Sequence, residues 1–97
     1  MASRYEKLCN ELRAFRSPLL IRKGEAASHC GVRYQTFYRW VNASGVTSIR
    51  DSIDSLINGA ELVHWLIGKD KLVEALKLSD YIRSVESRGG YKQRKGN

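Results

Sequence analysis

The stretch from Lys23 to Asn42 leaves this chain the least freedom, because two short helical patterns meet there with a single glycine between them. Lys23 to Cys30 and Arg33 to Asn42 each place apolar residues at helical spacing, which predicts two amphipathic helices. Gly31 accepts positive φ, so the chain can reverse direction within a tight turn. Ala26 and Ala27 are small enough to let the second helix approach the first, and Val32 is placed to plug the turn from inside. Phe37, Trp40 and Val41 give the second helix a buried stripe. Arg33, Tyr34, Gln35, Thr36, Tyr38, Arg39 and Asn42 are left largely outward.

The remaining pattern is also helical, and no stretch alternates apolar and polar residues as a half-buried strand would. Ser3 is positioned to cap a first helix whose stripe is Tyr5, Leu8, Cys9, Leu12 and Phe15, ended or disturbed by Pro18. Ser48 and Asp51 resemble a capping box, and Ile49, Ile53, Leu56, Ile57, Ala60, Val63, Leu66 and Ile67 predict a helix or a broken pair over about 48 to 67. Asn58-Gly59 either terminates its first half or is tolerated within it. Gly68 and Asp70 mark a stop and a new cap, and a last helix reaches roughly Glu86. With 97 residues there is room for one domain. The expected fold class is all-α: a helical domain of four to five helices over 1–88, with the two-helix unit at 23–42, oligomerisation helices at 48–86 and a flexible basic tail at 89–97.

Seventeen Lys and Arg against ten Asp and Glu give +7 and favour a polyanionic partner. The charge is uneven: 1–48 hold eight basic and three acidic residues, 49–82 hold four and six, and 83–97 hold five and one. The first half and the tail are therefore the polyanion-facing parts, and Arg83, Arg88, Lys92, Arg94 and Lys95 add sequence-independent attraction or simple solubility. No apolar run approaches the roughly 20 residues of a membrane span, and Met1-Ala2-Ser3-Arg4-Tyr5-Glu6 has no apolar signal core behind it. A cytoplasmic protein without a membrane partner is expected. Cys9 and Cys30 read as buried free thiols rather than a disulfide. His29, Cys30, His64 and Cys9 are the ligand types of a zinc site, but adjacent His29 and Cys30 project about 100° apart on a helix, so no metal is expected. His64 reads as a partly buried histidine with a hydrogen-bond partner. No nucleophile with its base, carboxylate pair or phosphate loop appears at recognisable spacing, so neither an enzyme nor a cofactor is expected.

The run from Gly24 to Val41 resembles the helix-turn-helix family of DNA-binding proteins, through Ala27, Gly31, Val32, Phe37 and Trp40, over about 20 of the 97 residues. Gly31-Val32 followed by Arg39-Trp40 is similar to the CII-type activators of lambdoid phages. Glu25-Ala26-Ala27 with Thr36-Phe37-Tyr38-Arg39-Trp40 looks equally like excisionase-type and transposon-type readers. Excisionase-type proteins place a basic β-wing after the motif, whereas Ser48 to Ile67 reads as an amphipathic helix, which favours the wingless form. The resemblance implies a small, sequence-specific regulator of phage or mobile-element type that binds double-stranded DNA. Recombination or packaging accessory proteins use the same reader.

On that reading the helix 33–42 enters the major groove and Arg33, Tyr34, Gln35, Thr36 and Arg39 meet base edges. Gln35 suits adenine N6 and N7, Arg33 or Arg39 suits guanine O6 and N7, and Thr36 and Tyr34 suit phosphate or a thymine methyl. Arg22, Lys23, Tyr38 and Asn42 are placed for phosphates. The apolar surplus around Leu62, Trp65 and Leu66 predicts a homo-oligomer, a dimer or higher. In an interaction module that surface would itself be the function. A regulator of this class can also touch RNA polymerase.

Overall fold

The computed structural model describes residues 3–50 and 55–89, with the side chain of residue 50 outside that description. The elements run α1 (Arg4–Ala14), β1 (Leu20–Arg22), α2 (Lys23–Cys30), α3 (Tyr34–Ser44), β2 (Ser48–Arg50), β3 (Ser55–Asn58), α4 (Gly59–Gly68) and α5 (Leu72–Ser87). Mostly helical, the chain also carries a small antiparallel sheet in the order β1-β3-β2. The all-α expectation is corrected by that sheet.

Ser3 starts α1 as expected, in a reciprocal capping box: its Oγ accepts from the Glu6 amide at 3.1 Å and Glu6 Oε1 accepts from the Ser3 amide at 3.0 Å. Cys9, Leu12 and Phe15 are buried, while Tyr5 at the outer end of the stripe is exposed and donates to Asp70 Oδ1 at 3.2 Å. The helix stops at Ala14, and Phe15 turns extended. Pro18 disfavours helix in the residue before it. Ser17 is buried there, its Oγ accepting from the Leu19 amide and donating to Glu86 on α5.

The three residues of β1 pair with β3, setting fully buried Ile21 opposite fully buried Ile57. Ser48, Ile49 and Arg50 pair with Ile57, Leu56 and Ser55 on the other side of β3. Among the described residues, the helix expected over 48–67 is therefore helical only from Gly59 onward. Ser48 lies in a strand instead of capping a helix, and its supposed partner Asp51 lies outside the described residues. Physically, Leu56 and Ile57 fit helical spacing and strand pairing alike, and the ladder to β1 and β2 decides between them.

Asn58-Gly59 begins a helix instead of ending one. Asn58 Oδ1 accepts from the Glu61 amide at 3.0 Å as the N-cap of α4. Gly59 is buried where a Cβ would lie 2.6 Å from Ile82 Cδ1 and 2.7 Å from Ile21 Cδ1, so a larger residue would force those two side chains to shift where helix, strand and α5 converge. Gly68 does end α4, but Asp70 adopts φ 62 within the turn and Lys71 takes the cap position of α5. Leu62, Val63 and Leu66 of α4 and Ala75, Leu78, Ile82 and Val85 of α5 are fully buried in one core, which also takes in Leu12, Ile21, Phe37 and Ile57. α5 runs to Ser87, one residue beyond the expected end, and the tail from residue 90 lies outside the described residues.

Candidate nucleic-acid interface

The turn between α2 and α3 is fixed by its backbone. Gly31 sits at φ 73, its amide donates to Ser28 O at 3.1 Å and the Val32 amide donates to Ala27 O at 3.2 Å. That pair of bonds is a Schellman closure, which demands the left-handed glycine. Val32 is half-buried against the core, and Ala26, Ala27 and Cys30 are buried beneath it. On α3, Phe37, Trp40 and Val41 face inward, with the Phe37 and Trp40 rings 6.0 Å apart. The inner face read for α3 is the observed one, and of the residues read as outward all but Thr36 are exposed.

Outward, Tyr34, Gln35, Tyr38 and Arg39 line one shallow depression on α3, and exposed Asn42 continues the same face a turn further on. The Tyr34 and Tyr38 rings lie nearly parallel with centroids 6.2 Å apart, and the residues are 50% and 45% exposed. Lys23 Nζ reaches across from α2 to stand 4.8 Å from the Tyr38 ring centroid. Five of the expected contact residues are thereby brought together: Lys23, Tyr34, Gln35, Tyr38 and Arg39. Arg33 is exposed at the N-cap of α3 without a side-chain capping bond. Thr36 is half-buried, turned away from the exposed face. Arg22 lies 3.1 Å from Glu25 Oε2 in an ion pair, so it is less open to a phosphate than Lys23.

One electrostatic signal was legible in the sequence and is absent from the expectations above. From residue 26 through residue 50 there is no Asp or Glu, so α3 and β2 carry positive charge alone. The nearest carboxylate before that stretch, Glu25, is engaged: Tyr81 and then Arg22 hold it below the usual glutamate range. The hairpin of β2 and β3 was missed altogether. It begins three residues after α3, and Ile49 on it is half exposed. Thr47, in the link, donates its amide to Glu61 Oε1 at 2.7 Å and its hydroxyl to Glu61 Oε2 at 3.2 Å, tying the hairpin base to α4.

Leu62 and Leu66 are fully buried in the chain's own core and leave nothing for a second chain to cover. Trp65 is half-buried, with Lys69 Nζ 5.6 Å from its ring. Of the apolar surplus read from α4, Leu62 and Leu66 are covered within the chain, while Trp65 and Ile67 keep part of their surface exposed. Burial pushes the Cys30 thiol up to about 11, Cys9 is likewise buried, and His64 Nε2 lies 2.8 Å from Phe15 O. Among the described residues no three His, Cys, Asp or Glu side chains gather as a metal site, and no helix is long and apolar enough to cross a membrane. No family model, no curated protein and no solved structure matches the chain.

Proposed function

We propose that this chain is a sequence-specific double-stranded DNA-binding protein that reads the major groove with α3. The observation that carries the reading is the division of α3 itself. Phe37, Trp40 and Val41 anchor one face, while Tyr34, Gln35, Tyr38 and Arg39 present hydrogen-bonding, cationic and apolar chemistry on the other, with no carboxylate to repel phosphate. Lys23 flanks that face and supplies a phosphate contact, with Asn42 beyond it, and Arg33 at the start of α3 is placed for a base edge.

The β2–β3 hairpin supports the winged form of the reader by its place in the chain, though 48–58 holds one arginine against two aspartates and is not a basic wing. It follows α3 directly, where excisionase-type proteins carry their wing, and it is anchored through Thr47 and Glu61. A small regulator or recombination accessory protein of phage or mobile-element type is the role that goes with this arrangement. A helical interaction module has less support, since Leu62 and Leu66 have no exposed surface. Any pairing of two copies on DNA uses Trp65 or other exposed residues rather than Leu62 and Leu66, and RNA polymerase contact belongs to the activator form of the proposal.

The test is selection of a random duplex pool by the purified full chain at near-physiological salt, followed by sequencing. A recovered motif, lost with Gln35→Ala and Arg39→Ala variants that still fold, supports the proposal. Half-site spacing in that motif reports whether two copies bind and by what symmetry. Weak binding without enrichment that vanishes as salt rises overturns it.

A further inference from the structure

Two large rings stand in solvent on the face where α3 carries its other contact groups. Tyr34 and Tyr38 are among the most exposed large apolar residues described, and neither hydroxyl has a hydrogen-bond partner among the described residues. Their centroids lie 6.2 Å apart with planes 25° from parallel. Lys23 holds the Tyr38 ring on this face from above, 4.8 Å from its centroid. Residues 26–50 hold no Asp or Glu, so α3 adds apolar rings and cationic groups to this face but no carboxylate.

The floor of the major groove offers one apolar group, the 5-methyl of thymine. We infer that Tyr34 and Tyr38 are specificity-determining residues that read the 5-methyl groups of two thymines on one strand, while Gln35 and Arg39 read the purines beside them. This rests on the DNA-binding reading above and departs from the expectation that Tyr38 contacts phosphate. A phosphate contact would use the hydroxyl alone and leave the stacked geometry of the rings without a role.

The experiment uses the full wild-type chain and the duplex recovered by selection, with each thymine replaced singly by deoxyuridine, which removes only the methyl. Two thymines on one strand should each lose about four-fold in affinity on replacement, the worth of one buried methyl group. Tyr34→Ala should bind thymine and uracil duplexes equally at one of these positions and Tyr38→Ala at the other, while Tyr34→Phe and Tyr38→Phe keep the discrimination. Because the deoxyuridine series needs no variant protein, it reads the inference even where a tyrosine substitution disturbs folding. A recovered motif with no sensitivity to uracil at any position overturns the inference and leaves the DNA-binding reading standing. Loss of affinity in the Phe variants without uracil sensitivity also overturns it, assigning the hydroxyls to phosphate. Tighter binding of the single strand than of the duplex, or no recovered motif, overturns both.

Discussion

The Tyr81 hydroxyl donates a 2.8 Å hydrogen bond to Oε1 of Glu25, fastening α5 to the helix that precedes the glycine turn. His29, one turn along α2, stacks on the same tyrosine with ring centroids 4.3 Å apart. The orientation of the two-helix unit on the core is thus set in part by a single phenol on α5.

Tyr81→Phe removes that bond and should destabilise the fold by about 1 kcal/mol in urea unfolding at neutral pH. The bond holds the Glu25 carboxyl below its ordinary value of 4.5, so it contributes stability above that pH. The contribution fades as pH falls through the lower folded value. Wild type and Tyr81→Phe should therefore converge in stability in the acid range below 4.5, and a constant gap across that range would refute the account.

Two glycines in helices should respond oppositely to alanine. At Gly59 the new methyl meets Ile82 and Ile21, both fully buried, and the strain should lower stability by about 1–2 kcal/mol despite the better helix former. At Gly24 nothing lies within 4 Å of the added Cβ, and Gly24→Ala should raise stability by up to about 1 kcal/mol. Thermal melts of the two variants beside wild type check both signs.

Glu61 joins the hairpin to α4 through two hydrogen bonds from Thr47 and stands in the first turn of the helix, where negative charge is favourable. Glu61→Ala should cost about 1–2 kcal/mol, and faster hydrogen exchange should appear first at the Thr47 amide. The Asn58 amide, which donates to Thr47 O at 2.9 Å, should follow. Uniform acceleration over the whole chain would show that the contact does not act locally.

Lys23 and Arg22 are neighbours with different freedom. Lys23→Gln should weaken binding to all duplexes and reduce the slope of log affinity against log salt by about 0.9, as one lost phosphate contact does. Arg22→Gln should change the slope less, because its guanidinium is already 3.1 Å from Glu25. Titrations of specific and random duplex at several salt concentrations separate the two variants.

Local chemistry in the sequence was enough to determine α1 with its Ser3 cap, the Gly31 closure between α2 and α3, and the buried face of α3. In each case the deciding groups lie within a few residues of one another: a cap and its amides, a left-handed glycine, an apolar stripe at helical spacing. The acid-free outer face of α3 was equally legible. Tertiary structure alone decided the sheet, because strands of three and four residues have too short a period to read and Ile21 gains its partner Ile57 only when distant segments pair. The same long-range packing made Gly59 the start of a helix and buried Leu62 and Leu66 under α5. A helix's own sequence shows how much apolar surface it carries, but which other element covers that surface depends on where the chain returns.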